Sequence, residues 1–272
     1  MPFFREKMVI NEEDRMNLMM FAHDSAKMAI MEKIFDDNSN LIRGARAARE
    51  KMAMDLISTG KVEIKNDGVS FAYNYQLEKK QFVKTPEGKP WSDRKNSNPI
   101  QDIIDWKRLG KTLGMDLRRA VCSSLTWSYL LTNENIKADM IASSINAAAL
   151  TVTDANLRQH ILAKTGVEVV EYSEYYQLKV GVGENPYPFY PDNKFTMMPV
   201  AALGNMMFGP TPEEIDLMGG TMNANTKITD MGVAVTIEVI SRPTVNTETR
   251  VSQIVLPSLN SAGGNLIIAT VV

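Results

Sequence analysis

The spacing of apolar residues changes abruptly at Gly60, and no other feature of the chain restricts its fold as strongly. Before that glycine apolar side chains recur every three or four residues, the helical period; after it they alternate, the period of a strand. Upstream, Asn11 is placed to cap a helix whose first turn carries Glu12, Glu13 and Asp14, acids suited to the positive end of a helix dipole. Met16, Met19, Met20, His23, Ile30 and Ile34 line one face of it to about Phe35. A second helix is expected after Asp37-Asn38-Ser39, running to Thr59 with Gly60 as its stop. It carries Leu41, Ile42, Ala45, Ala48, Met52 and Leu56 on one face and Arg43, Arg46 and Arg49 on another. Downstream, Val62 and Ile64, the turn Asn66-Asp67-Gly68, then Val69, Phe71, Tyr73 and Tyr75 spell a β-hairpin.

Residues 76–98 show no sustained period and read as a loop. Asn98-Pro99 then opens a helix, Asn as cap and Pro at the first helical position, through Ile100, Ile103, Ile104, Trp106 and Leu109 to Gly114. A strand is expected over 117–122, and next a short helix capped by Ser124 that carries Trp127 and Leu130. Another helix, capped by Asp154, runs to Gly166, followed by an alternating strand over 167–172. Residues 183–191, rich in proline, read as an irregular loop. Thr211-Pro212-Glu213-Glu214 opens a last short helix. From Met231 to Val272 three strands are expected, separated at Pro243 and Pro257. Helices first, a mixed centre and strands last make an α+β chain without the βαβ rhythm of a nucleotide-binding sheet.

The chain of 272 residues is long enough for one elongated unit or two joined lobes. Its 30 basic and 32 acidic residues leave a formal net charge of −2, which argues against a dedicated DNA binder; a container for DNA needs no such excess of cations. No apolar run reaches the ~20 residues of a membrane helix, so no membrane partner is expected. The opening residues Met1 to Lys7 lack the apolar core of a secretory signal, which makes synthesis in the cytoplasm the expectation.

Chemistry-bearing patterns are sparse. The one cysteine, Cys122, excludes intrachain disulfides and multi-thiolate metal sites and reads as a small apolar residue of the strand. His23 lies on an apolar helix face and reads as packed; His160, among Arg158, Gln159 and Lys164, reads as solvated. Gly181-Val182-Gly183 runs into Glu184-Asn185-Pro186 and forms no dinucleotide loop, and neither a phosphate-binding loop nor a nucleophile elbow occurs. The pairs Glu12-Glu13 and Glu213-Glu214 sit in first helical turns, where dipole complementarity accounts for them. No catalytic, cofactor-binding or metal-ligating residue is therefore assigned, and the chain is read as not an enzyme. Of the 18 methionines, the stripe Met16, Met19 and Met20 and the pairs Met197-Met198 and Met206-Met207 read as core filler, the stripe alternatively as a contact with a neighbouring subunit. The arginine face reads as a solvated helix side, or as the partner of an acidic patch on another subunit.

Over residues 38–131 the order of features becomes specific: Leu56-Ile57-Ser58-Thr59-Gly60, Lys61-Val62-Glu63-Ile64, Phe71-Ala72-Tyr73, Trp91-Ser92-Asp93, Pro99-Ile100-Gln101-Asp102-Ile103, then Trp127. Leu203-Gly204-Asn205, Gly232-Val233-Ala234-Val235 and Val251 to Pro257 continue it. In this order the chain resembles the lambda-type major capsid proteins of tailed phages, the protein E family. The resemblance implies the Hong Kong 97 type capsid fold, with residues 1–60 as a truncated N-terminal segment and spine helix and 61–98 as a hairpin and loop of the peripheral domain. It implies an axial domain over 99–225 and a return to the peripheral sheet over 226–272. Pro2 to Lys7 resembles the returning strand of the family's extended loop, and the N-terminal arm before it is expected to be missing here. Copies of the same chain in hexameric and pentameric capsomers would be the main partners; scaffolding, portal and decoration proteins would be others, and packaged DNA would be touched only non-specifically. The implied location is the virion shell, assembled in the host bacterial cytoplasm. Two readings stay open beside it: another head or tail component, such as a decoration or tube protein, and a hydrolase with an unrecognised site.

Overall fold

The first ordered element is a strand, β1 (Phe3–Ile10), followed by the helix α1 (Glu12–Met20) and the long helix α2 (Ser25–Thr59). Next come β2 (Lys61–Asn66), β3 (Val69–Asn74), β4 (Phe82–Lys84), α3 (Pro99–Thr112) and β5 (Arg119–Cys122). The centre holds α4 (Ser124–Thr132), α5 (Glu134–Ala142), α6 (Asp154–Thr165), β6 (Glu168–Glu171), β7 (Tyr175–Tyr176), β8 (Tyr187–Pro188) and β9 (Lys194–Met198). Last are β10 (Gly204–Gly209), α7 (Pro212–Gly219), β11 (Asn225–Thr229), β12 (Val233–Ile240), β13 (Asn246–Leu259) and β14 (Ile267–Thr270). This computed structural model describes residues 1–20, 25–66, 69–142, 152–177, 185–220, 225–241, 245–261 and 264–272. His23, the turn residues Asp67 and Gly68, Gly181-Val182-Gly183 and Pro243 lie outside them. The chain forms two compact units, Met1–Met52 with Met206–Ser258, and Ala53–Asn205 with Leu259–Val272.

In the first unit, β1, β13, β12 and β11 pair in that order, all antiparallel, and β10 joins β13. One face of the sheet receives α2: Leu41 and Ala45, both fully buried, pack on Val233, Val235 and Val251, flanked by Phe4, Met8 and Ile42. At Gly44 a Cβ would stand 2.8 Å from the Glu6 carboxylate, the far end of a side chain of β1, and its three nearest atoms are all side-chain atoms of that strand. Residues facing the opposite side follow from the register, since Arg5 is opposite Ser252 and Lys7 opposite Arg250. That side is polar.

In the second unit the sheet order is β4-β14-β9-β5-β6, with β4 and β14 parallel and β5 and β6 parallel. Its core collects all three tryptophans: Trp91, Trp106 and Trp127 with Ile103, Leu130, Leu157, Ile161 and Phe195. Trp91 stacks on Trp106 at 5.6 Å and donates its indole N–H to Asp102 at 2.9 Å, which satisfies the one polar atom that ring buries. The hairpin β2–β3 has the expected register, Val62 opposite Tyr73 and Ile64 opposite Phe71.

Several boundaries differ from the sequence reading. Asp37-Asn38-Ser39 does not separate two helices; α2 runs through it. Each of these residues costs only a few tenths of a kcal/mol in a helix interior, less than ending and restarting a helix without a glycine or proline. The two expected caps shift by one, to Ser123, which accepts from Thr126 N, and Thr153, which accepts from Asn156 N. The loop expected over 76–98 contains β4, a strand too short to show a period. Pro257 does not break β13, because the ladders with β1 and β12 end at Ile254 and Ser252 and no bond to either is lost at 257. Residues 226–272 do not return to one sheet: β12 and β13 join β1, while β14 inserts between β4 and β9. Ile267, Ile268 and Ala269 are buried on both faces there, as an apolar run without alternation requires.

Candidate assembly surfaces

The polar side of the first sheet is organised by Glu213. Thr211 caps α7 by accepting from Glu214 N, and Glu214 returns the bond to the Thr211 amide at 2.8 Å, a full capping box with Pro212 at the first helical position. This cap aims Glu213 at the sheet. Its carboxylate is paired with Arg5 of β1, accepts from Ser252 Oγ of β13 at 2.8 Å, and lies 3.5 Å from the Arg250 guanidinium. Burial alone would raise its proton affinity; the Ser252 hydroxyl, its own backbone amide and Arg5 outweigh that and hold the carboxyl below the usual range. Lys7 adds a longer bridge to Glu248 at 3.4 Å. α7 is thus held to β1 and β13 by charge, while α2 is held to the other face by apolar contact.

On the α2 side, Arg46 donates from Nε to Asp230 at 2.8 Å and Arg49 from Nη2 at 2.7 Å. Asp230, Met231 and Gly232 all have positive φ, so the β11–β12 turn is tight enough to present one carboxylate to both arginines. The Arg46 hydrogen bond is the main cause of the lowered proton affinity of Asp230. The acidic partner anticipated on another subunit is therefore found, for Arg46 and Arg49, in the same chain; Arg43 is exposed.

The other singled-out residues distribute as follows. Cys122 is fully buried, and burial, with Glu171 adding to it, pushes its thiol up to about 12. His160 is not solvated: its side chain is 11% exposed and Nε2 lies 2.8 Å from Asp139, which also accepts from Lys164 at 3.0 Å. Met197 and Met198 are core, as expected. Met207 is about half exposed, Met206 only partly buried, and Met16 is 61% exposed, so these three do not fill the core. A thioether on a surface keeps the core reading only where a neighbour covers it. Among the described residues no group of three or more His, Cys, Asp or Glu could hold a metal ion, and no helix is long and apolar enough to cross a membrane.

Two surface features had no clear signature in the sequence. One is α7, which exposes Ile215, Leu217 and Met218. The other is the end of the second sheet where Lys84 of β4 is opposite Thr270 of β14, and Thr270 opposite Lys194 of β9.

Among solved structures, a protein assigned as a prophage capsid protein from E. coli CFT073 shares this fold, with a TM-score of 0.65 at 14% identity, over 99% of this chain and 77% of that one. A phage-related protein from Bordetella bronchiseptica RB50 shares it at a TM-score of 0.53 and 10% identity, over 98% of this chain and 75% of that one. The fold is thus that of prophage capsid proteins. The sequence profile of the phage major capsid protein E family matches residues 1–248, and the chain belongs to that family of structural proteins. No curated protein matches it significantly.

Proposed function

We propose that this chain is the subunit of a tailed-phage or prophage head that assembles with copies of itself, through hexameric and pentameric capsomers, into the icosahedral shell. The observation that carries the reading is the family match over residues 1–248. The layered first unit supports it: an apolar contact to α2 on one face and an ionic contact to α7 on the other make a stiff plate out of residues from both ends of the chain. On the Hong Kong 97 plan, the unit of residues 1–52 and 206–258 takes the peripheral role and the unit of 53–205 and 259–272 the axial role. The work is mechanical and needs no catalytic group. Each subunit meets several neighbours through contacts of modest strength, and closure of a symmetric shell multiplies them because each added contact becomes effectively intramolecular. Assembly takes place in the bacterial cytoplasm, with scaffolding, portal or decoration proteins as secondary partners and DNA as an enclosed cargo held without sequence preference.

Electron microscopy and sedimentation of the purified full chain over a range of concentrations test the reading. Rings or closed shells that appear above a threshold concentration are expected. A strictly monomeric protein at every concentration would overturn it.

A further inference from the structure

Two cations and a hydroxyl stand in one row across the second sheet. Lys84 of β4 is opposite Thr270 of β14, and Thr270 is opposite Lys194 of β9. Residues directly opposite in a ladder project from the same face, so the three side chains share one side of the sheet. The two lysine stems are rooted two strands apart, on the order of 10 Å. β4 is an edge strand and Lys84 is exposed, while Thr270 and Lys194 are half-buried.

This row lacks negative charge. Lys194 donates to Thr270 Oγ1 at 2.8 Å, a neutral acceptor that leaves the ammonium charge uncompensated. Burial first, and the charge of Lys84 second, lower the proton affinity of Lys194, and no acid acts on it in the other direction. The acids nearest in sequence, Glu87 and Asp192, are exposed, and among the described residues neither pairs with Lys84 or Lys194. Residues 79–95 hold six basic and two acidic side chains, a local excess inside a chain whose net charge is −2. Two cations gathered on one face without a counter-ion cost free energy, and an anion bound between them offsets that cost.

We propose that Lys84, Thr270 and Lys194 form a binding site for a phosphate group, either the free ion or one phosphodiester of a nucleic-acid strand. The flexible four-carbon stem of lysine lets both ammonium groups close on one compact oxyanion seated over Thr270. Because Thr270 Oγ1 accepts from Lys194, the hydroxyl proton is left to donate to the same anion. Three donors from three strands suit a tetrahedral oxyanion, which offers oxygens in several directions, better than a planar carboxylate. The row contains no aromatic ring, amide or arginine fork, so it senses charge and not the identity of a base. Lys79 and Lys80, exposed in the turn before β4, add to the positive potential that draws an anion to it.

Calorimetric titration of the full chain with inorganic phosphate, and fluorescence anisotropy of a short labelled DNA duplex, test the site. The parent is compared with Lys84→Met, Lys194→Met and Thr270→Val, and with Lys111→Met, an exposed lysine of α3 outside the row, as the control. Each lysine variant of the row is expected to weaken phosphate binding about tenfold or more and Thr270→Val about threefold, the losses of a charged and a neutral hydrogen bond. The control should bind as the parent does. Thermal unfolding confirms the fold of each variant, and the exposed Lys84 keeps the test decisive if Lys194→Met does not fold. Duplex binding that falls with the same variants and is displaced by phosphate supports the site and names a phosphodiester chain as its source. Phosphate binding without duplex binding supports it with the free ion as source. A parent that binds neither probe, or binding that survives both lysine variants, overturns the proposal. So does a preference for polyglutamate over both probes, which would give the surface to an acidic protein. None of these measurements depends on assembly, so the site and the shell reading stand or fall separately.

Discussion

Gln253 of β13 donates its side-chain amide to the main-chain carbonyl oxygen of Ala45 in α2, at 2.8 Å and wholly buried. A strand and a helix 208 residues apart in sequence are thereby held at a fixed rotation and height. The other amide atom, Oε1, has no hydrogen-bond partner among the described residues. A buried acceptor without a partner costs about 1–3 kcal/mol, close to what the single bond returns. Gln253→Leu, similar in volume, should therefore change stability by less than about 1 kcal/mol, whereas Gln253→Ala, which leaves a cavity, should cost about 2 kcal/mol or more. Chemical unfolding of the two variants checks this. A large loss in the leucine variant would show that the bond, not the packing, holds the helix.

Glu213 makes the first unit acid-sensitive. A carboxyl held below its unfolded value contributes stability that is complete above the unfolded range, about 4.3 for Glu, and is lost as pH falls through the folded value. Glu213 and Asp230 both behave so. Asp102 and Glu6, pushed up by burial, work in the opposite direction, because acid relieves their desolvation. Glu213→Gln should cost about 2 kcal/mol at neutral pH, the loss of charge-assisted hydrogen bonds. It should also flatten the fall of melting temperature below pH 5; a variant with the parent's pH profile would refute the assignment.

Gly44 and Gly110 look alike in the sequence, each a glycine inside a helix, and should respond oppositely to alanine. At Gly44 the new methyl meets the far end of the Glu6 side chain, which can swing away, so the gain in helix propensity of about 1 kcal/mol should dominate. At Gly110 it would stand 2.5 Å from Leu117 Cδ1, and Leu117 is fully buried in the core. Gly110→Ala should destabilise by about 1–3 kcal/mol. Thermal unfolding of the pair gives the signs directly.

Cys122 should be inert. With its proton affinity raised and its sulfur buried, the thiolate that reacts is absent at neutral pH. A disulfide reagent should label no thiol in the native chain within an hour and one per chain in denaturant. Rapid native labelling would contradict the packing at β5.

What could be read in advance was local. Asn98 with Pro99, Gly60, and Thr211 with Pro212 and Glu214 each declare a helix end within four residues, and each is found in place with its hydrogen bonds. The sheets were less legible, since β4, β9 and β10 are short and owe their existence to partners far along the chain. The same distance hid the surfaces. Nothing around Arg46 points to Asp230, nothing around His160 points to Asp139, and nothing around Glu213 points to Arg5 and Ser252.

β4 is attached to its sheet through β14 alone, Phe82 opposite Ile268 and Lys84 opposite Thr270. During synthesis residues 82–84 must remain without a strand partner until residues 267–270 have been made, and their meeting closes one of the longest loops the chain can form. Such pairing is slow compared with helix formation. The row of Lys84, Thr270 and Lys194 therefore exists only in a chain whose β14 has been made and has paired on both sides.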